Sequence, residues 1–572
     1  MFKLLVHIKK YTKECILGPL FKLAEALLEL FVPLVIAAII DKGIAAGDTE
    51  YVIKASLLLV GLGVIGLLFS VTAQYFAAKA AVGFVKDVKH ELFKHIESLS
   101  YTELDHVGTS TLITRMTSDM NQIQTGVNLT LRLLLRSPFV VFGAMIMAFT
   151  IDFNAALVFV CAIPLLSVVV YGIMLWCIPL YKKVQQKLDR VLGITRENLT
   201  GARVIRAFRK ENDEMHAFWQ RNQELTKAQK FVGRISALMN PLTYIIINLA
   251  IIVLIKVGAD KVNDGALLKG DIVALYNYMS QILVELVKLA NLIISLTKSV
   301  ACGNRVQSVL EMRSSQQVAP RESAETSDNI VEFRNAALRY KDGGADALSD
   351  ITFAVKRGET VGIIGGTGSG KSSLVNMIPR FYDATQGEVL INGEDIKTIP
   401  TEELRSMIGV VPQKAVLFKG TIRENMLWGD PNADDSAIMR AAETAQAADV
   451  ITSKGGLDFE IEQGGKNLSG GQRQRFTIAR ALVKQPEILI LDDSASALDF
   501  ATDAALRKAI RTMPSQPTVF IVSQRTSSIQ HADKIIVLDD GRIVGMGRHD
   551  ELLKTCEVYN EIYSSQFKKE AM

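Results

Sequence analysis

Three short stretches hold side chains whose types and spacing suit chemistry on a phosphate. The first runs Gly365, Gly366, Thr367, Gly368, Ser369, Gly370, Lys371, Ser372 and fits G-x-x-x-x-G-K-[ST]. Glycines let a backbone wrap an anion closely and turn its N–H groups inward. Lys371 reaches the β- and γ-phosphates from such a loop, and the Ser372 hydroxyl suits Mg²⁺. The second stretch is Leu468, Ser469, Gly470, Gly471, Gln472, followed by Arg473 and Arg475. Its serine and glycines suit phosphate contact at a helix N-terminus. The third, Glu487 to Asp492, carries four apolar residues that end in a carboxylate able to hold Mg²⁺.

The surrounding residues predict what positions these groups. The apolar run Thr360–Ile364 reads as a buried strand ahead of the glycine loop, and Ser373 onward begins a helix. A glycine-rich turn that fits by chance is the competing reading; the strand–turn–helix frame and the order of the three stretches weigh against it. Val331–Tyr340 alternates as a strand. Tyr340, 25 positions before Gly365, either stacks on an adenine ring or packs on the sheet.

Composition divides the chain. Of 572 residues 49% are apolar, with the long apolar runs before residue 300. Six stretches near 16–40, 52–78, 134–151, 155–180, 236–258 and 271–297 are long enough for a hydrocarbon core, which needs about 20 helical residues. Short links are expected at 41–51, 152–154 and 259–270, and long helical rods between the second and third and between the fourth and fifth spans. Between Tyr181 and Ile235 there are 13 Lys or Arg against 6 Asp or Glu, which places the rods and both termini in the cytoplasm of a cell-membrane protein. Residues 1–15 read as an interfacial helix rather than a cleaved leader, 16–310 as the membrane domain, 311–329 as a polar linker and 330–572 as a soluble domain. Glu25, Glu29, Arg132, Arg136, Glu285 and Lys288 lie in or near spans, where a charge must face the bundle interior or water. Glu285 and Lys288, three apart, either neutralise each other or, with Arg136 and Glu29, form a polar wall along a substrate path. Five scattered cysteines without C-x-x-C and seven unclustered histidines support neither a disulfide framework nor a zinc site. A net charge of +4 with no basic aromatic stripe argues against nucleic-acid binding.

In this order and spacing the motifs resemble the ATP-binding cassette (ABC) exporters in half-transporter form, over nearly the whole chain. The resemblance implies an all-α, six-helix transmembrane domain joined to an α/β P-loop nucleotide-binding domain with an antiparallel β subdomain and a helical subdomain. It implies ATP and Mg²⁺, with Ser372, Gln413 and Asp492 around the metal and the phosphate loop through Ser373 on the nucleotide. Tyr340 then looks like the adenine-stacking aromatic, Gln413 like the glutamine that links the metal to the membrane domain, and Leu468–Gln472 like the signature that contacts a partner's ATP. Ser496, Ala497, Leu498 and Asp499 match the loop that crosses the dimer. The stretches Tyr101–Ile123 and Glu197–Glu211 resemble the first and second coupling segments.

Two positions depart from the family pattern. Asp493 stands where a catalytic glutamate is usual, and Gln524 where a switch histidine is usual. Asp is one methylene shorter, and glutamine carries no imidazolium charge. His531 is too far along to substitute. With an intact signature, the resemblance implies the degenerate subunit of a heterodimer, with a homodimer as the alternative. ATP-driven export of a drug, lipid or peptide is the leading activity, and an ATP-gated channel or sensor shares every motif. No peptidase domain precedes the interfacial helix, so leader-peptide processing is not expected.

Overall fold

Six helices long and apolar enough to cross a membrane carry the described part of the first 310 residues. The computed structural model describes residues 2–316, 318–320, 327–341 and 343–567; parts of the expected linker, residue 1 and the last five residues lie outside that set. The membrane helices are α1 (Lys3–Ile44), α2 (Thr49–Glu97), α4 (Thr109–Ile151), α5 (Phe153–Thr200), α7 (Glu211–Asn263) and α8 (Lys269–Leu310), with short helices α3 (Tyr101–Val107) and α6 (Ala202–Ala207) between them. The predicted spans all fall inside these helices. The links are shorter than expected, because α1 winds on to Ile44 and a single residue, Asp152, joins α4 to α5. Asp152 caps α5, accepting from the Ala155 amide at 2.8 Å, and pairs with Lys261. Such a cap satisfies an otherwise orphaned N–H group.

The expected rods run past the spans but are interrupted. After Glu97 the chain leaves helix, and Gly108 sits at φ 79°, a left-handed conformation that glycine adopts without a Cβ penalty. A second break falls at Gly201 and at Arg209, whose φ is 53°. Pro19 and Pro33 lie inside α1 and Pro164 and Pro179 inside α5. Membrane helices tolerate such prolines because neighbouring groups resatisfy the freed carbonyls. Leu30, Phe159, Leu254, Tyr278 and Ile282 form the core of the bundle, and the Tyr278 hydroxyl donates to the Leu30 carbonyl at 2.6 Å. Leu57, Val60, Leu67, Val168 and Leu175 point outward and more than half exposed, as a lipid-facing surface requires.

Packing divides the chain into two units, one of residues 1–97 and 110–311, the other of 98–109 and 312–572. The first coupling segment, read from sequence as one stretch, is therefore split, with α3 belonging to the second unit. There Tyr101 packs on Phe381 with ring centroids 4.7 Å apart, and Asp105 accepts from the Tyr382 hydroxyl at 2.5 Å.

The second unit is built on three sheets. Strands β1 (Asn329–Leu338), β2 (Leu348–Lys356), β4 (Gln386–Ile391) and β5 (Glu394–Asp395) form an antiparallel sheet in the order β2-β1-β4-β5. The central sheet runs β12-β11-β3-β10-β9-β6, built from β3 (Thr360–Gly365), β6 (Ile408–Val411), β9 (Ile488–Asp492), β10 (Thr518–Val522), β11 (Lys534–Asp539) and β12 (Arg542–Gly547). It is parallel except at its β11–β12 edge. Every residue of β3, β9 and β10 is buried, as expected of parallel strands covered on both faces. A short pair, β7 (Gly420–Thr421) with β8 (Glu460–Ile461), completes the set. Helices of this unit include α9 (Lys371–Met377), α10 (Asp435–Thr444), α11 (Ala448–Ser453), α12 (Gly470–Val483), α13 (Phe500–Arg511) and α14 (Glu557–Phe567).

Candidate functional site

The glycine loop joins the C-terminal edge of β3 to α9, which begins at Lys371, two residues earlier than the sequence pattern suggested. Its glycines are there for space and conformation. A Cβ on Gly365 would meet the Leu538 carbonyl oxygen at 2.1 Å, and Gly370 stands at φ 92° with the Ala347 carbonyl 2.8 Å from any added Cβ. Lys371 folds back onto its own loop, donating to the Gly365 carbonyl at 3.0 Å and to Gly366 at 2.6 Å. Burial pulls its ammonium below the ordinary lysine value, against the neighbouring Asp493 and Asp492 carboxylates. A cation held this way has much to gain from a phosphate.

Around the loop lies a cavity of about 380 Å³. Tyr340, Thr367, Gly368, Gly370, Lys371, Ser372, Ser373, Gln413, Asp492, Asp493 and Gln524 line it, so residues predicted from five separate stretches converge. Ser372 Oγ donates to Asp492 Oδ1 at 3.1 Å. Burial raises the Asp492 carboxyl above its ordinary range; the Ser372 bond opposes that rise and Asp493 adds to it. A hydroxyl beside one buried carboxylate fits Mg²⁺, which takes one or two protein ligands and completes its shell with phosphates and water. No cluster of three His, Cys, Asp or Glu among the described residues offers an alternative all-protein metal site.

Asp493 has a left-handed backbone, φ 45°; its amide donates to Val522 at 3.0 Å and its Oδ2 accepts from Gln413 Nε2 at 3.3 Å. Gln524 is exposed at the rim. Its carbonyl accepts from Gln566 Nε2 at 2.7 Å, and Gln566 Oε1 accepts from the Thr526 amide at 2.9 Å, so α14 pins this turn. His531 lines a different cavity.

Tyr340 stands two residues beyond the end of β1. Its hydroxyl lies 2.9 Å from Ser373 Oγ, and its ring meets Tyr382 edge-on at 5.0 Å. Tyr382 was not singled out in the sequence, since nothing in Arg380-Phe381-Tyr382 distinguishes it from a core aromatic. Burial, with Asp105 as the next cause, raises its hydroxyl above the ordinary tyrosine range, so it stays a donor.

The signature lies elsewhere, with none of Leu468–Gln472 lining this cavity. Leu468 is buried as an anchor while Ser469 and Gly470 are exposed at the start of α12. Ser469 and Gln472 form a reciprocal cap, with Ser469 N donating to Gln472 Oε1 at 3.0 Å. Gly471 leaves room for the Ala497 carbonyl, which a Cβ would approach to 3.2 Å. Asp499 caps α13 by accepting from the Thr502 amide at 2.8 Å, and that bond lowers its carboxyl below the usual range.

In the membrane unit the four residues singled out for a polar path meet. Arg136 Nη1 donates to Glu285 Oε1 at 2.5 Å and Nη2 to Glu29 Oε2 at 2.6 Å, while Lys288 Nζ lies 2.9 Å from Glu285 Oε1. Ser137, not anticipated, donates to Glu285 Oε2 at 2.9 Å. The Glu285–Lys288 pair is thus part of a larger network. Lys22 and Glu25, 2.5 Å apart, form a separate buried pair reached by Ser70 at 3.2 Å.

Comparison with known proteins is consistent over the full length. A family profile described as the ABC transporter transmembrane region matches residues 15–286, and one described as ABC transporter matches 348–496. The chain is 35% identical over 574 residues to the uncharacterized ABC transporter ATP-binding protein YfiB of Bacillus subtilis, covering 100% of this chain and 99% of the relative. It is 32% identical over 585 residues to the putative multidrug export ATP-binding/permease protein YgaD of Bacillus subtilis, with 99% of each covered. It is 29% identical over 580 residues to the ATP-dependent lipid A-core flippase of Hahella chejuensis, with 98% of each covered. A solved bacterial Atm1-family ABC exporter with ATP bound superposes with a TM-score of 0.79 at 24% identity over 98% of both chains, a likeness of fold.

Proposed function

The chain belongs to the ABC transporter family, with the exporter fold, and from that premise we propose that it is one half of a heterodimeric exporter whose own ATP site turns over slowly. As a family member it is a multi-pass membrane ATPase that binds ATP with Mg²⁺ and couples hydrolysis to export as a dimer. The chemistry at Asp493 and Gln524 carries the finer reading.

Lys371 would leave the Gly365 and Gly366 carbonyls for the phosphates, and Ser372 with Asp492 would hold Mg²⁺, which would supply positive charge against the phosphates. Tyr340 supports the base. The carboxylate of Asp493 falls short of the attacking water: catalytic groups need placement within about 0.5 Å, and a missing methylene exceeds that. Gln524 offers an amide where a charged ring would stabilise the transferring phosphoryl group. Nucleotide is therefore held and slowly cleaved. The intact Ser469–Gln472 cap presents its hydroxyl and backbone N–H groups to the partner's ATP, where cleavage is fast, and Ser496–Asp499 crosses between the two sites. Nucleotide charge closes the dimer by binding closed and open states unequally.

The basic excess in 181–235 supports a cytoplasmic ATP-binding domain and cytoplasmic termini, in keeping with a transporter of the cytoplasmic membrane. The export and flippase names of two relatives favour amphiphilic cargo. Photolabelling of the chain purified alone with azido-ATP, alongside phosphate release, tests the reading. Ready labelling with slow release is expected, and a second half-transporter should copurify from its native host. Brisk turnover by a homodimer would overturn it.

A further inference from the structure

Within the membrane unit, Glu29, Arg136, Gln281, Glu285 and Lys288 line a cavity of about 340 Å³. Glu29 lies fifteen residues before the end of α1, Arg136 fifteen before the end of α4 and Glu285 sixteen after the start of α8. All three therefore stand fifteen or sixteen residues in from their helix ends and meet at one level of the bundle.

The network is neutral but not closed. Arg136 and Glu285 are 7% and 4% exposed at their side chains, whereas Glu29 and Lys288 are each 44% exposed. Two buried atoms on the same wall, Arg136 Nε and Gln281 Oε1, have no hydrogen-bond partner. Buried polar groups are ordinarily satisfied, so the protein's own groups do not complete this wall, and the charges the cavity can reach are those of Glu29 and Lys288. Val32, Val140 and Val284 supply apolar lining beside the charges.

We propose that this cavity binds the cargo through a zwitterionic group, with an ammonium on Glu29 and an anionic group on Lys288, the apolar remainder lying along the valines. This deepens the exporter reading and rests on it for the word cargo. A ligand of single charge would meet one favourable end and one repelling end, and would leave a net charge where water is scarce. A zwitterion leaves none.

Native mass spectrometry of the full chain in dodecyl maltoside, without nucleotide, tests the site. The probes are myristoyl lysophosphatidylethanolamine, myristoyl lysophosphatidylglycerol and myristylamine, with the dipeptide Leu-Leu as a non-lipid arm. A zwitterionic probe should bind about 10-fold more tightly than either singly charged amphiphile, equivalent to about 1.4 kcal/mol. The lysolipid or the dipeptide, whichever is held, identifies the source. Lys288→Ala should turn the preference toward myristylamine and Glu29→Gln toward lysophosphatidylglycerol. Val140→Trp, which fills the cavity and spares every charge, should abolish binding of all probes. Equal binding of all probes, unchanged preference in both charge variants, or full binding in Val140→Trp would overturn the proposal. Binding here is independent of ATP, so loss of ATP-driven transport alone would count against the exporter reading and not against this site.

Discussion

If this chain's own site is slow, as proposed, replacing Asp493 by Glu and Gln524 by His together should convert it into a fast one. The Asp493 backbone is fixed in a left-handed turn at φ 45°, its amide bonded to Val522 at 3.0 Å, so side-chain length sets how far its carboxylate reaches. At present that carboxylate sits 3.3 Å from Gln413 Nε2. Glu adds one carbon–carbon bond, about 1.5 Å, roughly three times the placement tolerance of a catalytic group. The rim at Gln524 is exposed, and its bond to α14 is made by its backbone carbonyl, which a histidine keeps. A positioned general base contributes about 10²–10⁴-fold. The double variant should therefore release phosphate at least about 100-fold faster, which corresponds to about 2.7 kcal/mol off the barrier. The assay is phosphate release at saturating Mg-ATP from nanodiscs that hold two copies of the full chain, with ATP binding measured on the same samples. Equal ATP binding with no gain in rate, or a wild-type rate already at the variant's level, would refute the reasoning.

Asp492→Asn should raise the melting temperature of the nucleotide-free protein and remove most of the stabilisation by Mg-ATP, which for an intact site is about 2.7 kcal/mol at 100 times Kd. Because the folded pKa of Asp492 is raised, its contribution is present at low pH and is lost as pH rises through that pKa; the melting gap between variant and wild type should be widest at neutral pH and close on acidification. Tyr382→Phe keeps the ring against Tyr340 but removes the donor to Asp105 on α3. The bond is exposed, so about 0.5 kcal/mol is expected, and the readout is reduced ATP-driven transport at retained ATPase activity; parallel loss of both would contradict the assignment.

The strand–turn–helix frame of the glycine loop and the buried strand that ends in Asp492 were legible because their signals are local. Glycine φ angles, a lysine and a hydroxyl at fixed offsets suffice to define the loop, and β3 and β9 announce themselves as unbroken apolar runs. The six spans were legible for the same reason. The breaks in the rods were not, because Gly108 and Arg209 are single residues in otherwise helical sequence. The membrane network was half legible: Glu285 and Lys288 share a helix face by spacing alone, but Arg136 lies 149 positions from Glu285 and 107 from Glu29, so only helix packing brings them together. Tyr340 lies on the cavity wall and also packs against the sheet core, and its neighbour Tyr382, 42 positions on, needed the tertiary fold to be noticed at all.

The proposed division of labour between two ATP sites is tested most directly by the ATPase rate of the reconstituted two-chain transporter carrying either of two substitutions in this chain. Ser469→Arg, which blocks the signature offered to the partner's nucleotide, should abolish most turnover. Lys371→Ala, which empties this chain's own site, should leave much of it. The opposite ranking would contradict the account.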